Sequence, residues 1–144
     1  MADIIYHNYL AEQAVGNVDF DTDLLKVALL GSGYTPDADH TVWTDVSGNE
    51  IASGFGYTTG GVIVSGSVTD DDANDLVKYD ITDPSWTAAG GSIGPARYAV
   101  LFDDTHTNDA LAYLFDFGES KTALDTRNFT IEIDTNGLFT GQQA

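Results

Sequence analysis

Hydrophobic positions along most of this chain follow the short periods that are typical of β-strands. Residues 24–30 (LLKVALL) form an apolar run between Asp23 and Gly31, which indicates a strand buried on both faces. Residues 129–133 alternate, with three apolar side chains on one face and two polar side chains on the other. Further strands are predicted at residues 62–64, 75–81, 97–102 and 110–117, and at 138–140 after the tight-turn dipeptide Asn136-Gly137.

One segment has helical spacing instead. Apolar residues recur at roughly helical intervals from Ile4 to Ala14, and Gly16-Asn17 supplies a stop signal, so we predict a short helix from Asp3 to Val15. Short strands, 15 glycines and frequent Asp, Asn and Thr turns favour one mainly β domain, an antiparallel β-sandwich or small barrel. The predicted domain consists of an N-terminal helical segment at residues 1–17 and a β-sandwich at residues 18–144.

The charge of the chain is strongly unbalanced. It has 23 acidic residues, of which 19 are Asp, against five basic residues, and its net charge is −18. So few cations make DNA, RNA and anionic membranes poor partners. Abundant Asp with scarce Lys is typical of a protein that works in brine or seawater, although an acidic shell that only maintains solubility is the alternative. The densest acidic run, residues 70–75, is predicted to be a solvated loop.

The absence of cysteine excludes disulfides, thiolate metal sites and cysteine nucleophiles. No apolar stretch approaches the length of a membrane span, and the start of the chain lacks the basic residues of a secretory signal. We therefore expect an unprocessed cytoplasmic start at Met1-Ala2-Asp3.

The motifs that resemble catalytic sites lack the required context. Residues 90–94 match G-x-S-x-G, but a nucleophile elbow needs a strand before the serine and a helix after it, and here a small-residue loop is predicted. Residues 54–60 resemble a dinucleotide fingerprint with the wrong spacing. The three histidines, His7, His40 and His106, are scattered singly. We expect no enzyme activity, no catalytic residue and no cofactor.

A weak metal-binding candidate is the segment Asp19-Phe20-Asp21-Thr22-Asp23, which begins like an EF-hand loop. The pattern then fails, because Leu24 stands where glycine is required and no Glu closes the loop. Asp19, Asp21 and Asp23 could still contribute to a different calcium site. The alternative is an Asp-rich turn that leads into the strand at residues 24–30.

Six stretches spread over almost the whole chain occur in a characteristic order. They are residues 4–10 (IIYHNYL), 18–30 (VDFDTDLLKVALL) followed by 32–37 (SGYTPD), 56–61 (GYTTGG), 96–102 (ARYAVLF), 115–118 (FDFG), and 129–134 (FTIEID) followed by 136–139 (NGLF). Together they resemble a widespread family of small tailed-bacteriophage proteins that are encoded among virion structural genes. The last stretch is similar to the closing hairpin of that family.

The resemblance implies a non-enzymatic component of a tailed-phage virion, made in the host cytoplasm. The size of the chain, and the virion structural genes among which that family is encoded, suggest a capsid decoration, or cement, protein on the outer head surface. The implied partners are the major capsid protein or other virion proteins, and further copies of the chain in a homo-oligomer, with a trimer favoured. The alternatives are a tail, neck or tail-fibre-base component, or a host-surface glycan-binding module that uses Trp43 and Trp86.

Contacts between copies this acidic should lie where Asp is sparse. Aromatic and arginine side chains are favoured at interface cores. The predicted assembly residues are therefore Tyr6, Tyr9 and Leu10 in the N-terminal segment, and Arg97 and Tyr98 further along. The alternative is that the aromatic side chains cover their own sandwich.

Overall fold

The computed structural model describes residues 3–142, which form a mainly β fold with antiparallel sheets and confirm the predicted fold class. The strands and the helix are β1 (Ile4–Ile5), α1 (His7–Ala14), β2 (Leu25–Leu30), β3 (Val62–Val64), β4 (Gly66–Asp71), β5 (Leu76–Ile81), β6 (Ser85–Thr87), β7 (Ile93–Asp103), β8 (Ala110–Ala123), β9 (Asn128–Thr130) and β10 (Phe139–Gln142). Two short 3₁₀ helices, Trp43–Asp45 and Ser47–Asn49, lie between β2 and β3.

The main sheet has five antiparallel strands in the order β1-β8-β7-β2-β3. A second sheet has the order β10-β5-β4, and β6 and β9 form a two-stranded ribbon. The central strand β7 pairs with β2 along residues 98–103 and with β8 along its length, with register shifts that indicate bulges. The pairing of β2 with β7 therefore joins residues that are far apart in the sequence.

Two hydrophobic clusters cover the two faces of the main sheet. Leu25, Val27 and Leu29 point to one cluster, which also contains Ile81 of β5 and Trp86 of β6. The intervening residues of β2 and β7 point to the other cluster, which the segment between β2 and β3 covers; its members include Ala28, Leu30, Tyr34, Val46, Val100 and Phe102. The prediction that residues 24–30 form a strand buried on both faces is confirmed, although β2 begins at Leu25.

The N-terminal segment differs from the predicted continuous helix. Ile4 and Ile5 form strand β1 and pair with Leu114 and Tyr113 of β8, and the helix begins only at His7. β-branched residues favour strands, and the outer edge of β8 offers these two residues hydrogen-bonding partners. The predicted helix from Asp3 to Val15 is therefore too long at its start.

The acidic run at residues 70–75 is only partly a loop. Asp70 and Asp71 are the last residues of β4, which the sequence pattern did not predict, and the turn to β5 follows. The Lys78 ammonium lies 3.2 Å from the Asp71 carboxylate across the β4–β5 hairpin. This cross-strand ion pair lets an acidic segment form a strand.

The predicted closing hairpin is wrong, because its two strands pair with different partners. The turn itself forms, since the Gly137 N–H donates to the Asp134 carbonyl at 2.8 Å. However, β9 pairs with β6, which was also not predicted, and β10 pairs with β5. Phe139 stacks on Tyr79 of β5 with 4.5 Å between ring centroids, so aromatic packing selects β5 as the partner of β10.

No helix within residues 3–142 has the length and apolar character that crossing a membrane requires.

Candidate interaction surface

The β7–β8 ladder separates two ends of the molecule that differ in charge. It runs from Ile93 opposite Ala123 to Asp103 opposite Ala110. At about 3.3 Å per residue, β7 spans roughly 35 Å. The first end is poor in acidic residues, and the second end is rich in them.

Three loops meet at the first end, and we call them together the three-loop surface. They are residues 54–57, 88–92 and 124–127. The first loop joins the second because the Ala89 N–H donates to the Phe55 carbonyl at 3.0 Å. The second joins the third because the Thr126 N–H donates to the Ala88 carbonyl at 2.9 Å. Backbone hydrogen bonds thus hold the loops as one surface.

Two large apolar side chains are exposed on the three-loop surface. Phe55 is 55% exposed and Leu124 is 65% exposed. Phe55 has a backbone φ of 57°, a conformation that is unusual for a bulky residue. A Cβ added to Gly91 would come within 2.5 Å of the Phe55 ring, so the ring can lie there only because residue 91 is glycine. Strained residues of this kind concentrate at ligand-contacting sites.

The three-loop surface is balanced in charge, unlike the chain as a whole. Its loops contain one acidic residue, Asp125, and one basic residue, Arg127. The Asp125 carboxylate accepts a hydrogen bond from the Gly90 N–H at 2.8 Å. Arg127 makes no ion pair with another residue of the described part of the chain. The three-loop surface is therefore where another acidic molecule can approach with least repulsion.

The acidic end contains a buried carboxyl group. Asp103 is 0% exposed, and it accepts hydrogen bonds from the Tyr9 hydroxyl at 2.9 Å and from the backbone N–H groups of Thr105 and His106 at 3.1 and 3.2 Å. Burial and the adjacent Asp23 carboxyl group raise the pKa of Asp103 to about 6. The network fastens α1 to the loop after β7.

The three weak metal candidates form a turn. The Asp19 N–H donates to the Asp23 carboxylate at 2.8 Å, and the Asp21 N–H donates to the Asp19 carboxylate at 3.1 Å. No group of three potential ligands within residues 3–142 is arranged to hold a metal ion. The carboxylates of Asp19 and Asp23 thus cap backbone amides, as in an Asx turn.

The predicted assembly residues of the N-terminal segment lie mainly inside the protein. Tyr6 and Tyr9 are buried, and their hydroxyl groups contact Tyr34 at 3.1 Å and Asp103 at 2.9 Å. Leu10 is 40% exposed. In this fold, Leu10 is therefore the member of the three that offers side-chain surface to a partner.

The other two predicted residues lie on β7. The Arg97 guanidinium lies 3.1 Å from the Asp116 carboxylate of β8 and above the Tyr98 ring. Tyr98 is buried against Tyr34. The structure does not bring this pair together with Leu10, because α1 lies beside the opposite half of β8, where Tyr9 bonds to the end of β7.

The two tryptophans do not form one binding platform. Trp43 stacks on Phe102 in the second hydrophobic cluster, with 4.6 Å between ring centroids. Trp86 is buried in the first cluster, on the other face of the main sheet. A glycan platform that uses both rings is therefore not formed.

The G-x-S-x-G segment is a loop at residues 90–92, as predicted, and its last two residues begin strand β7. No helix follows Ser92, because β7 begins at Ile93. The loop instead belongs to the three-loop surface.

Sequence reasoning missed Phe55 and Leu124 as surface residues. A signal was present, since Phe55 stands between two glycines in a stretch, residues 51–69, that has no charged residue at all. An aromatic residue in such a loop has few ways to be buried locally. Its place on the same surface as Leu124 depends on hydrogen bonds between loops that are distant in the sequence.

Comparison of this chain with protein-family models, with curated proteins and with solved structures gives no match.

Proposed function

We propose that this chain is a non-enzymatic structural component of a tailed-phage virion, and that it decorates the outer surface of the head. The observation that carries the proposal is the three-loop surface. It presents exposed apolar side chains, and an arginine that makes no ion pair within residues 3–142, at one end of an otherwise strongly acidic molecule. Such a distribution suits a protein that attaches through one end and faces solvent with the rest.

The attachment has a physical basis in the exposed side chains. Phe55 and Leu124 would leave water on contact with a shell, and apolar burial is the main favourable contribution to association. Phe55 is presented by a loop that is hydrogen-bonded to its neighbours, so little conformational freedom would be lost on binding. Many weak contacts of this kind, repeated over a shell, would resist the internal pressure of packaged DNA.

The acidic remainder of the surface supports an outward position. A net charge of −18 would repel packaged DNA, so the proposal assigns the chain to the outside of the shell. The order of the six sequence stretches that resemble phage virion proteins supports the same class of protein. A place on the tail or neck is the competing assignment.

The attachment is tested with the double variant Phe55→Ser and Leu124→Ser. We expect the purified variant to lose binding to phage shells that lack this protein, measured by co-sedimentation, while its thermal midpoint stays close to that of the wild type. The matched control is Val15→Ser, which removes a side chain that is 71% exposed at the acidic end. Equal binding by the wild type and the double variant would exclude the three-loop surface as the attachment site.

The place on the virion is tested separately by copy number and by labelling. Hundreds of copies per virion, with immunogold label on heads, are expected for a decoration protein. Six or twelve copies with label on tails would replace the head assignment with the tail or neck. Virions without any label would overturn the virion role itself.

A further inference from the structure

Strand β1 and helix α1, residues 4–14, lie at the edge of the fold. β1 is two residues long and is the outermost strand of the main sheet, beside β8. The connection from α1 to the following chain, residues 15–17, is exposed. Within it, Gly16 has a φ of +82°, and a Cβ added there would meet no atom within 4 Å. Residues 4–14 can therefore move as a unit about this connection, because β1 pairs with β8 alone and nothing crowds Gly16.

Two side chains of α1 contact the loop after β7. The Tyr9 hydroxyl donates to the buried Asp103 carboxyl group at 2.9 Å. The Glu12 carboxylate lies 3.4 Å from Nε2 of His106, whose Nδ1 accepts the Asn108 N–H at 3.1 Å. A neutral imidazole with its proton on Nε2 satisfies both contacts of His106, so they require no charge on the ring. The ionisable group that α1 shields from water is thus Asp103.

Acidic groups predominate around this interface. Titratable and charged side chains of four elements surround it, namely Tyr9 and Glu12 of α1, Asp19 and Asp23 of the turn before β2, Lys26 of β2, and Asp104, His106 and Asp109 of the loop after β7. The Lys26 ammonium lies 3.1 Å from the Asp104 carboxylate, so it already has a partner. No ion pair of the described part of the chain includes Asp103. A negative charge on Asp103 therefore has no cation beside it within residues 3–142.

We propose that residues 4–14 form a latch that opens when Asp103 loses its proton. In the closed state, Tyr9 shields the carboxylate from water and a second carboxyl group lies beside it, and a buried charge without a counterion is unfavourable. Opening lets water solvate the carboxylate. It also withdraws Tyr6 from the second hydrophobic cluster and uncovers the outer side of β8. The open state thus presents aromatic side chains and an unpaired strand edge, to which a further protein chain can bind.

The latch lies at the acidic end of the molecule and uses neither Phe55 nor Leu124, so it is independent of the proposed virion role. The pKa of Asp103 is about 6 in the closed state, and the ordinary value of 3.8 applies to the open state, where water solvates the group. The proton therefore stabilises the closed state fully below about pH 3.8, and this stabilisation is lost as the pH rises through about 6. From about pH 5 to about pH 7.5, the equilibrium constant for opening should rise about tenfold.

Amide hydrogen exchange tests the latch in the intact chain. The N–H groups of Tyr6 and Tyr9 are hydrogen-bonded in the closed state, to the carbonyls of Ala112 and Tyr6, each at 3.0 Å. Their protection factors, which correct for the intrinsic pH dependence of exchange, should be lower than those of the β2–β7 ladder at every pH. They should also fall about tenfold from about pH 5 to about pH 7.5. Equal protection in both sets of amides would overturn the proposal, because residues 4–14 would then open only on global unfolding. Lower protection that does not change with pH would also overturn it, because Asp103 would then not control opening.

Three variants identify the group responsible. Asp103→Asn keeps a hydrogen-bonding oxygen but cannot ionise, so the opening of residues 4–14 should no longer depend on pH. Asp23→Asn removes the neighbouring charge and should weaken the pH dependence, which provides a second test if Asp103→Asn does not fold. The control Asp21→Asn removes one charge from an exposed position of the same turn and should retain the change of about tenfold. The same pH dependence in the wild type and all three variants would contradict the proposal.

Discussion

At the scale of single residues, Asp103 shows how position determines the behaviour of a carboxyl group. It is one of 19 aspartates, yet it is buried and bonded to the Tyr9 hydroxyl and to two backbone N–H groups. Asp23 lies beside it, so a proton in this site relieves repulsion between two carboxylates. Nothing in the residues around position 103 distinguishes this aspartate from Asp104.

This environment predicts a pH dependence of stability. The pKa of Asp103 is about 6 in the folded protein and 3.8 for an unperturbed group. Its proton therefore stabilises the fold fully below about pH 3.8, and this contribution is lost as the pH rises through about 6. We expect the thermal midpoint of the wild type to fall from about pH 5 to pH 7, and the fall to be smaller in Asp103→Asn.

The control for this measurement is Asp72→Asn, which removes one charge at an exposed turn. Its thermal midpoint should fall with pH as steeply as that of the wild type. The explanation would be wrong if Asp103→Asn and Asp72→Asn showed the same slope.

At the scale of elements, close approach of backbones determines how the strands connect. Gly61 precedes β3 with a φ of +82°, and a Cβ at this position would collide with the Val27 carbonyl of β2. The neighbouring Gly60 has a φ of +91° and open space around it. Substitutions at the two glycines therefore distinguish two free-energy costs. One is the cost of a left-handed backbone, and the other is the cost of a steric collision.

We expect Gly60→Ala to destabilise the protein by about 1–2 kcal/mol, the usual cost of a left-handed conformation with a side chain. Gly61→Ala should cost more, roughly 3 kcal/mol or above, because β3 must also move away from β2. Denaturant unfolding of both variants measures the difference. Equal losses would show that β3 relaxes without disturbing its pairing.

The existence of most strands followed from the sequence, but their pairing did not. The alternation in residues 129–133 predicted a strand next to a turn, and the turn is present. The partner was wrong because Phe139 stacks on Tyr79, which lies 60 positions earlier in the chain. Strand β4 escaped prediction because Lys78, on the neighbouring strand, compensates one of its acidic side chains.

At the scale of the whole molecule, the net charge of −18 acts together with its uneven distribution. Repulsion among the acidic residues opposes the compact state, and salt reduces this repulsion. The repulsion is weak at the three-loop surface, because Asp125 is the acidic residue in its loops. Composition thus sets the dependence on salt, whereas the fold sets where contacts can form.

We expect the thermal midpoint to rise from about 0.05 M to 2 M NaCl, and to keep rising above about 1 M, where the Debye length is already near 3 Å. A continued rise would indicate adaptation to brine or seawater rather than simple screening. A thermal midpoint that does not change with salt would indicate that the excess of acidic residues only maintains solubility. Differential scanning calorimetry over the salt series makes the measurement.

By itself, the sequence determined the fold class, the buried strand at residues 24–30 and the strongly acidic net charge. These properties depend on local alternation, turn residues and total charge, which short stretches or simple sums contain. The tertiary structure decided that Tyr6 and Tyr9 are buried and that Phe55 and Leu124 share one exposed surface. It did so because burial and adjacency depend on contacts between residues that are distant along the chain.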